Sequence, residues 1–304
     1  MHKKPLIINV DGSDGSLLAL VLACASEELS VEGVTCTGRW GAADRTAVTA
    51  ARLCEYLQIE LPIYVGNGRP LCSQSHLAAQ TGEEPPVDRA FLPPAEFLCL
   101  PQPAAEFMAE VIRGRAGEIC LAAVAPLTDL ADLAIAYPQL CRKVDRVVIA
   151  GGGTVRGDRT PAAEHNIWCD PEAAQIVFRS GMPLIMCGTD VETSCYMCPT
   201  ERSGLYDRSG DIGRLVAELA KDAACLRRAA AIYVLCRPDE VNLRRYPVEI
   251  DLNGAYTRGS TVAFMSGYYP DKVANTDVVL ALVRQRFVQW LFDTAASADR
   301  RRQR

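Results

Sequence analysis

The sequence has little excess positive charge. Its 304 residues carry a formal net charge of −5, whereas proteins that bind nucleic acids or acidic membranes need a basic surface. The one basic cluster, residues 300–304, lies at the end of the chain. We interpret residues 296–304 as a disordered, solvated tail rather than a nucleic-acid-binding arm. The composition therefore predicts no nucleic-acid partner.

Long apolar runs and metal-ligand clusters are also missing. The apolar stretch 17–25 is too short to span a bilayer, and residues 1–5 lead into a strand-like run without the pattern of a signal peptide. Thirteen cysteines are scattered along the chain, which fits reduced cysteines packed in a core. With three histidines and one C-x-x-C pair, zinc is not expected. We expect a cytoplasmic protein without a membrane partner.

Strand-like runs alternate with amphipathic, helix-like stretches. The strand-like runs are 6–10, 31–37, 62–65, 118–124, 146–150 and 183–187, and the helix-like stretches are 16–28, 42–57, 103–115, 127–136 and 171–180. Residues 147–150 are apolar throughout, as in strands with both faces buried. The pattern predicts one α/β domain over residues 1–304, with a Rossmann-like, mostly parallel sheet and helices on both faces.

The last fifth of the chain predicts two further features. Residues 248–253 and 261–265 flank a glycine-bounded turn and are interpreted as a β-hairpin. Residues 275–295 are interpreted as a closing helix with Asn275 or Thr276 as its N-cap.

In parallel α/β sheets, ligands bind outside the carboxyl ends of the strands. The most informative segment there begins with the glycine run 151–153, after the strand-like run 146–150. It ends at Asp170-Pro171, a strong helix start. Between them lie Glu164 and Asn166. A carboxylate and an amide two residues apart can bind vicinal hydroxyls, because together they offer acceptors and donors.

This segment resembles that of the inosine-uridine type nucleoside hydrolases, whose pattern is a glycine run, Glu-Phe-Asn and Asp-Pro-Glu-Ala-Ala. Here the middle part is Glu164-His165-Asn166. Residues 66–71, 126–130 and 248–252 are similar to other segments of that family, the second of them to its Gly-Leu-Thr-Asn loop. The resemblance covers nearly the whole chain. It implies the nucleoside hydrolase fold, a nucleoside or ribose-like ligand, and a homodimer or homotetramer.

The resemblance also implies a calcium-dependent reaction. In the family, aspartates of an N-terminal D-x-D-P-G-x-D-D loop, a loop carbonyl and a late aspartate hold Ca²⁺, and one early aspartate acts as general base. Residues 9–16 are N-V-D-G-S-D-G-S in this chain. Asp11 falls at the base and is our candidate catalytic residue. Asn9 replaces the first aspartate, Gly15 and Ser16 replace the closing pair, and Asp14 is a carboxylate one residue early.

Other family positions are also changed. Counting back from residues 233–235 places Arg227 at the late metal-binding aspartate and Leu226 at the leaving-group histidine. Arg39 and Asp158 fall at two asparagines, the first of which contacts ribose, and Val124 falls at the residue whose carbonyl binds the metal. The candidate substrate-binding residues are Asp14, Arg39, Asp158, Glu164, Asn166 and Arg227.

The changes predict no cofactor. Calcium needs several anionic oxygens, and this chain retains only Asp11 and the Val124 carbonyl as candidate ligands. A fixed arginine can partly fill the electrostatic role of a lost cation. The alternative is that the pocket has decayed and that Arg39 and Arg227 point to solvent.

Three functions stay open at this point. The first is an N-ribosyl hydrolase that works without calcium, and the second is a non-catalytic protein that binds nucleosides or sugars. The third is a structural subunit. His165 can titrate near a leaving base or be structural. Asp190 and Glu192 follow the strand-like run 183–187 and can simply cap the next turn.

Overall fold

An eight-stranded sheet forms the centre of the protein. We describe it from a computed structural model that covers residues 3–38, 43–72, 92–95, 99–100, 102–208 and 210–302. The sheet strands are β1 (Lys4–Val10), β2 (Leu29–Cys36), β3 (Ile63–Val65), β4 (Cys120–Ala123), β5 (Arg146–Ile149), β6 (Leu184–Met186), β7 (Val241–Tyr246) and β10 (Thr276–Leu282). Their order is β3-β2-β1-β4-β5-β6-β10-β7, and only the edge strand β7 runs antiparallel to its neighbour. The predicted, mostly parallel sheet is confirmed.

Helices connect the strands and cover the sheet. They are α1 (Asp14–Ala25), α2 (Ala43–Leu57), α3 (Ala104–Gly114), α4 (Thr128–Ala136), α5 (His165–Cys169), α6 (Pro171–Arg179), α7 (Pro199–Arg208), α8 (Asp211–Leu219), α9 (Ala223–Cys236) and α10 (Arg284–Arg302). The predicted hairpin is present as β8 (Val248–Ile250) and β9 (Thr261–Ala263). In the part of the chain described above, no helix combines the length and apolarity needed to cross a bilayer.

Two apolar cores lie on opposite faces of the sheet. Successive side chains of a strand point to opposite faces, and in β1 Leu6, Ile8 and Val10 join one core while Ile7 joins the other. The first core also contains α1 and α9, and the second contains α3, α4 and α6. Both faces of the central strands are therefore buried, as the all-apolar runs predicted.

The strand order reverses next to β1. From β1 the chain moves outward to β2 and β3, and it then returns to the other side of β1 as β4. Such a switch point opens a crevice at the carboxyl ends of the two central strands. Asp11 follows β1, and Val124 follows β4. The fold thus places the residues after β1 and β4 side by side.

The carboxyl-terminal part of the chain differs from expectation. The helix predicted over residues 275–295 is wrong in its first turns, because Thr276–Leu282 is strand β10, inserted between β6 and β7. The basic tail is also not disordered up to residue 302, since α10 continues to Arg302. The Arg301 side chain donates to the carbonyl of Ala25, and the Arg302 guanidinium lies 5.3 Å from the Tyr56 ring centroid. These contacts hold the basic end against the fold.

Candidate active site

Asp11 is held rigidly at the start of α1. Its carboxylate is fully buried, and Oδ1 accepts hydrogen bonds from the backbone N of Ser13 at 3.0 Å and from its Oγ at 2.5 Å. Ser13 is also the N-cap of α1 and accepts from the backbone N of Ser16. The amino end of a helix stabilises negative charge. The loop therefore presents a fixed carboxylate at the switch point.

The guanidinium of Arg228 joins three segments around Asp11. Its Nη2 lies 3.8 Å from Oδ2 of Asp11 and donates to Oδ1 of Asn166 at 3.1 Å. Its Nε donates to the carbonyl of Val124 at 3.2 Å. A planar guanidinium suits this role, because its N–H groups point in fixed directions and keep their charge when buried. Arg228 thus places a positive charge between the ends of β1 and β4.

Gly15 provides the space through which Arg228 reaches Asp11. A Cβ at Gly15 would lie 2.9 Å from Cδ of Arg228 and 2.9 Å from the Cα of Cys225. Both neighbours belong to α9, which packs directly on this end of α1. Any side chain at position 15 would force the two helices or the arginine to move. The missing carboxylate at position 15 and the buried Arg228 are therefore structurally linked.

Arg227 organises a second charged cluster beside the first. It is 1% exposed, and its Nη2 lies 2.6 Å from Oδ2 of Asp158 and 2.8 Å from Oε1 of Glu164. Its Nη1 lies 3.4 Å from Oε1 of Glu192. Burial alone would lower the pKa of Arg227, but the three carboxylates outweigh burial and raise it above its ordinary value. Arg227 is therefore a permanent buried cation.

The two carboxylates closest to Arg227 have different environments. Complete burial raises the pKa of Glu164, although the guanidinium of Arg227 opposes this effect. For Asp158, burial is outweighed by the charge of Arg227 and by the hydrogen bond from the backbone N of His165, so its pKa is lowered. Because Oε1 of Glu164 lies 2.8 Å from a guanidinium, we treat both carboxylates as ionised at neutral pH.

The glycine run after β5 allows the Glu164 loop to approach the sheet. Oε2 of Glu164 accepts from the backbone N of Gly152 at 3.2 Å and from that of Asn166 at 2.9 Å. Nδ2 of Asn166 donates to the carbonyl of Ala150 at 2.8 Å. Gly152 has a φ of +77°, and a Cβ there would lie 2.7 Å from Sδ of Met186. Only glycine fits this close approach.

Asn9 belongs to a buried network with Asp129. Its Nδ2 donates to Oδ2 of Asp129 at 2.9 Å and to Oγ1 of Thr37 at 2.8 Å, and Oδ1 of Asp129 accepts from the backbone N of Asn67 at 2.7 Å. Burial raises the pKa of Asp129 despite these hydrogen bonds. The family pattern has a carboxylate at position 9 and an amide at position 129. The two departures from the family pattern therefore fall on residues that contact each other, as expected of a paired exchange.

Substitutions that reverse the exchange at positions 9 and 129 test whether the two residues depend on each other. Asp129→Asn alone is expected to lower the free energy of unfolding by about 1.5–3 kcal/mol, because it removes hydrogen bonds to a charged group. Asn9→Asp alone places two carboxylates in contact and should cost more. The double variant Asn9→Asp/Asp129→Asn should recover to within about 1 kcal/mol of wild type. Urea unfolding measures all three, and additive losses in the double variant would contradict the proposed exchange.

Most of the predicted site residues lie in the two charged clusters around Arg228 and Arg227. Asp11, Asp158, Glu164, Asn166 and Arg227 are connected through Arg227 and Arg228. The alternative that Arg227 points to solvent is wrong.

Two of the predicted site residues are not placed in these clusters. Asp14 forms an ion pair with Lys221, whose Nζ lies 2.6 Å from Oδ2, and its contact with substrate stays a prediction. Arg39 lies outside the described residues.

Arg228 and Glu192 were not among the predicted site residues. Two adjacent arginines in the apolar, buried helix α9 are a usable sequence signal, because buried arginines require anionic or polar partners. Glu192 gave no comparable signal, since it lies in a 3-10 turn after β6, where an acidic residue can equally serve as a cap. His165 is largely buried, and its Nε2 lies 3.5 Å from Sγ of Cys169.

Comparisons with known proteins identify the family of this chain. Residues 6–289 match the family profile described as inosine-uridine preferring nucleoside hydrolase. The chain belongs to this family. The pyrimidine-specific ribonucleoside hydrolase RihA of Salmonella paratyphi B is 33% identical over 304 residues, covering 94% of this chain and 96% of that protein. RihA of Photobacterium profundum is 30% identical over 309 residues, covering 97% and 99%.

Solved structures show the same fold. The purine-preferring ribonucleoside hydrolase from Gardnerella vaginalis superposes with a TM-score of 0.86 at 22% identity, covering 97% of this chain and 99% of that one. A plant nucleoside hydrolase, PpNRh1, gives the same TM-score at 23% identity and the same coverage. The predicted nucleoside hydrolase fold is confirmed.

The described residues do not fit calcium, the cofactor implied by the family resemblance. Ca²⁺ takes six to eight oxygen ligands at about 2.3–2.6 Å. Here Asp11 and the Val124 carbonyl already face the guanidinium of Arg228, and positions 15 and 16 carry no carboxylate. Within the ranges that the structure describes, no group of three or more His, Cys, Asp or Glu side chains is placed to hold a metal ion.

Proposed function

We propose that this protein hydrolyses the N-glycosidic bond of ribonucleosides, releasing ribose and a free base, without calcium. The observation that carries the proposal is the position of Arg228. Its guanidinium contacts the Asp11 carboxylate, the Val124 carbonyl and the Asn166 amide. A fixed cation thus lies beside the one carboxylate retained from the family's first loop.

In this proposal Asp11 takes a proton from the attacking water. The bond from C1′ of ribose to the base nitrogen breaks, and the base keeps the electron pair and takes up a proton from solvent. As Asp11 takes its proton, the attacking water oxygen carries partial negative charge until its bond to C1′ is complete. Arg228 stabilises this charge from a fixed position, as a preorganised cation does. Because the site needs no reorganisation during the reaction, part of the contribution of a metal ion is retained.

The sugar is bound by the loop after β5. A carboxylate has four acceptor positions, so Asp158, whose side chain is 23% exposed, can accept hydrogen bonds from ribose hydroxyls while it holds Arg227. Glu164 already accepts from Arg227 and from three backbone N–H groups, so it orders the loop, and its direct contact with substrate stays a prediction. Asn166 adds an amide next to Glu164. Arg227 acts here as a positioning residue, because it holds these carboxylates in place without contacting the reacting atoms.

The family resemblance further supports a homodimer or homotetramer acting in the cytoplasm, which size-exclusion chromatography and cell fractionation can check.

A non-catalytic nucleoside-binding protein is the second candidate. The observation that favours it is that the polar groups of the site are occupied by the protein itself: Glu164 and Asn166 each contact an arginine. Under this alternative, ribose or nucleosides bind saturably and no base is released. Isothermal titration with nucleosides, followed by chromatography of the mixture, separates the two candidates.

The proposal makes a prediction about metal and Asp11. Ribose release from a panel of nucleosides should be unchanged by excess EDTA, and calcium should bind no better than about millimolar. Asp11→Asn should lower kcat by at least about 100-fold, the usual contribution of a general base. The exposed Asp239→Asn is the matched control and should leave kcat unchanged. A micromolar calcium isotherm, or turnover that survives in Asp11→Asn, would overturn the mechanism.

A further inference from the structure

We propose, building on the hydrolase function above, that this protein also cleaves 2′-deoxyribonucleosides, with a kcat/KM close to that for ribonucleosides or above it. The observation that supports the inference is that the polar side chains placed to bind the sugar already have partners within the protein. They do not depend on a sugar hydroxyl, so a substrate without the hydroxyl at C2′ meets little penalty.

The pairing of buried groups decides how strongly a site distinguishes two sugars that differ by one hydroxyl. If buried polar groups depend on that hydroxyl, they lose their partner when it is missing, and the analogue is rejected by about 10,000- to 100,000-fold. If the protein itself satisfies those groups, only one exchangeable hydrogen bond is lost, which corresponds to about 10-fold or less. The partners of the sugar-binding candidates therefore predict the sugar preference.

Glu164 has its acceptor positions filled by the protein. A carboxylate has about four such positions. Oε1 of Glu164 accepts from Nη2 of Arg227 at 2.8 Å. Oε2 accepts from the backbone N of Gly152, Asn166 and Ile167 at 3.2, 2.9 and 3.3 Å. The side chain of Glu164 is fully buried, and its hydrogen bonds are complete before any sugar binds.

The amide of Asn166 is satisfied in the same way. Its Nδ2 donates to the carbonyl of Ala150 at 2.8 Å, and its Oδ1 accepts from Nη2 of Arg228 at 3.1 Å. Asn166 is fully buried. The same guanidinium donates from Nε to the carbonyl of Val124 at 3.2 Å. Neither side chain needs a ligand to complete these hydrogen bonds.

Asp158 is the most accessible of the sugar-binding candidates in the two clusters. Its Oδ1 accepts from the backbone N of His165 at 2.8 Å, and its Oδ2 accepts from Nη2 of Arg227 at 2.6 Å. The side chain is 23% exposed, so solvent can occupy its remaining acceptor positions when a hydroxyl is missing. The described candidates in these clusters thus pair with the protein whether or not the sugar carries a hydroxyl at C2′.

The chemistry of the sugar favours the 2′-deoxy substrates. As the bond from C1′ to the base nitrogen breaks, positive charge develops at C1′ and the ring oxygen. An electron-withdrawing hydroxyl at C2′ opposes this charge, so its removal makes bond breaking easier. The water oxygen bonds to C1′, Asp11 takes a proton from that water, and the base keeps the electron pair and takes up a proton from solvent. The products are 2-deoxyribose and a free base.

The test compares kcat/KM for uridine with that for 2′-deoxyuridine, and for inosine with that for 2′-deoxyinosine. We expect the value for the 2′-deoxy member of each pair to be no more than about 10-fold below that of the ribonucleoside, because one exchangeable hydrogen bond is lost. A larger loss in both pairs would show that a group of the site depends on the hydroxyl at C2′, and it would overturn the inference.

The variant Arg227→Met tests the cause of this tolerance. It leaves Oε1 of Glu164 and Oδ2 of Asp158 without their guanidinium, so a sugar hydroxyl becomes the available donor. Relative to uridine, at least one of 2′-, 3′- and 5′-deoxyuridine should then be cleaved about 10-fold less well than by wild type. These ratios do not depend on the fraction of folded enzyme. Unchanged ratios would contradict the inference.

Arg156→Met is the matched control. The side chain of Arg156 is 58% exposed and pairs with Glu192, so its removal should leave the ratios as they are in wild type. The substrates also separate this inference from the function on which it rests. If ribonucleosides are cleaved and 2′-deoxyribonucleosides are not, the sugar inference is wrong and the hydrolase function stands. If neither class is cleaved, both fail.

Discussion

Arg227→Met is expected to lower the free energy of unfolding by about 3–5 kcal/mol, as happens when one partner of a buried ion pair is removed. The variant leaves Asp158, Glu164 and Glu192 without their shared guanidinium, and Glu164 is fully buried. Methionine keeps a long apolar side chain, so little of the loss comes from packing. Urea unfolding at neutral pH measures the difference directly.

A control variant and the pH dependence show whether Arg227 stabilises the fold through its charge or through packing. Arg156 also pairs with Glu192, but its side chain is 58% exposed, so Arg156→Met should cost less than about 1 kcal/mol. Arg227 lowers the pKa of Asp158 in the folded state. Their ion pair therefore stabilises the fold at pH values above the ordinary pKa of an aspartate, and this stabilisation is lost as the pH falls. The difference in the free energy of unfolding between wild type and Arg227→Met should therefore become smaller below about pH 4. A gap independent of pH would mean that Arg227 acts through packing instead.

Arg228→Ala is expected to lower kcat/KM by at least about 1,000-fold, the loss of about 4 kcal/mol of transition-state stabilisation. The truncation removes the cation that contacts Asp11 and the Val124 carbonyl. It also leaves a cavity of roughly the shape of a guanidinium group. Added guanidinium chloride should therefore restore part of the activity, at concentrations far below those that unfold the protein.

The rescue distinguishes a chemical role from a structural one. Asp11→Asn lacks the base rather than the cation and should not respond to guanidinium. Methylammonium, which has the charge without the planar fork, should rescue Arg228→Ala less well, because it cannot donate to several acceptors at once. Wild-type activity in Arg228→Ala would remove the arginine from the mechanism. An equal response to sodium chloride would show that ionic strength alone explains the rescue.

The sequence predicted the fold well because its strands are short apolar runs between amphipathic helices. Strands β1 to β6 lie where these runs were found. The prediction was wrong at residues 276–282, which are apolar at most positions and suit a strand or a buried helix equally well. Pairing with β6 on one side and β7 on the other decides this choice. Such contacts between distant segments are not visible in a local pattern.

Some residues of the site could also be predicted from the local sequence, whereas others depend on how distant segments pack together. Glu164 and Asn166 were predicted because their loop has a distinctive order of residues. Arg228 was missed because counting along α9 cannot decide which of two adjacent arginines faces Asp11. Neighbouring residues on a helix point about 100° apart, so Arg227 and Arg228 reach different clusters. The orientation of α9 relative to α1 decides which of the two arginines faces Asp11.

The close packing of Gly15 against Arg228 limits which substitutions position 15 accepts. A Cβ there conflicts with the arginine and with the backbone of Cys225, so a larger residue requires Arg228 or α9 to move. An aspartate at position 15 therefore needs a second change that makes room for it. Positions 15 and 228 are thus coupled, and the effect of a substitution at one is expected to depend on the residue at the other.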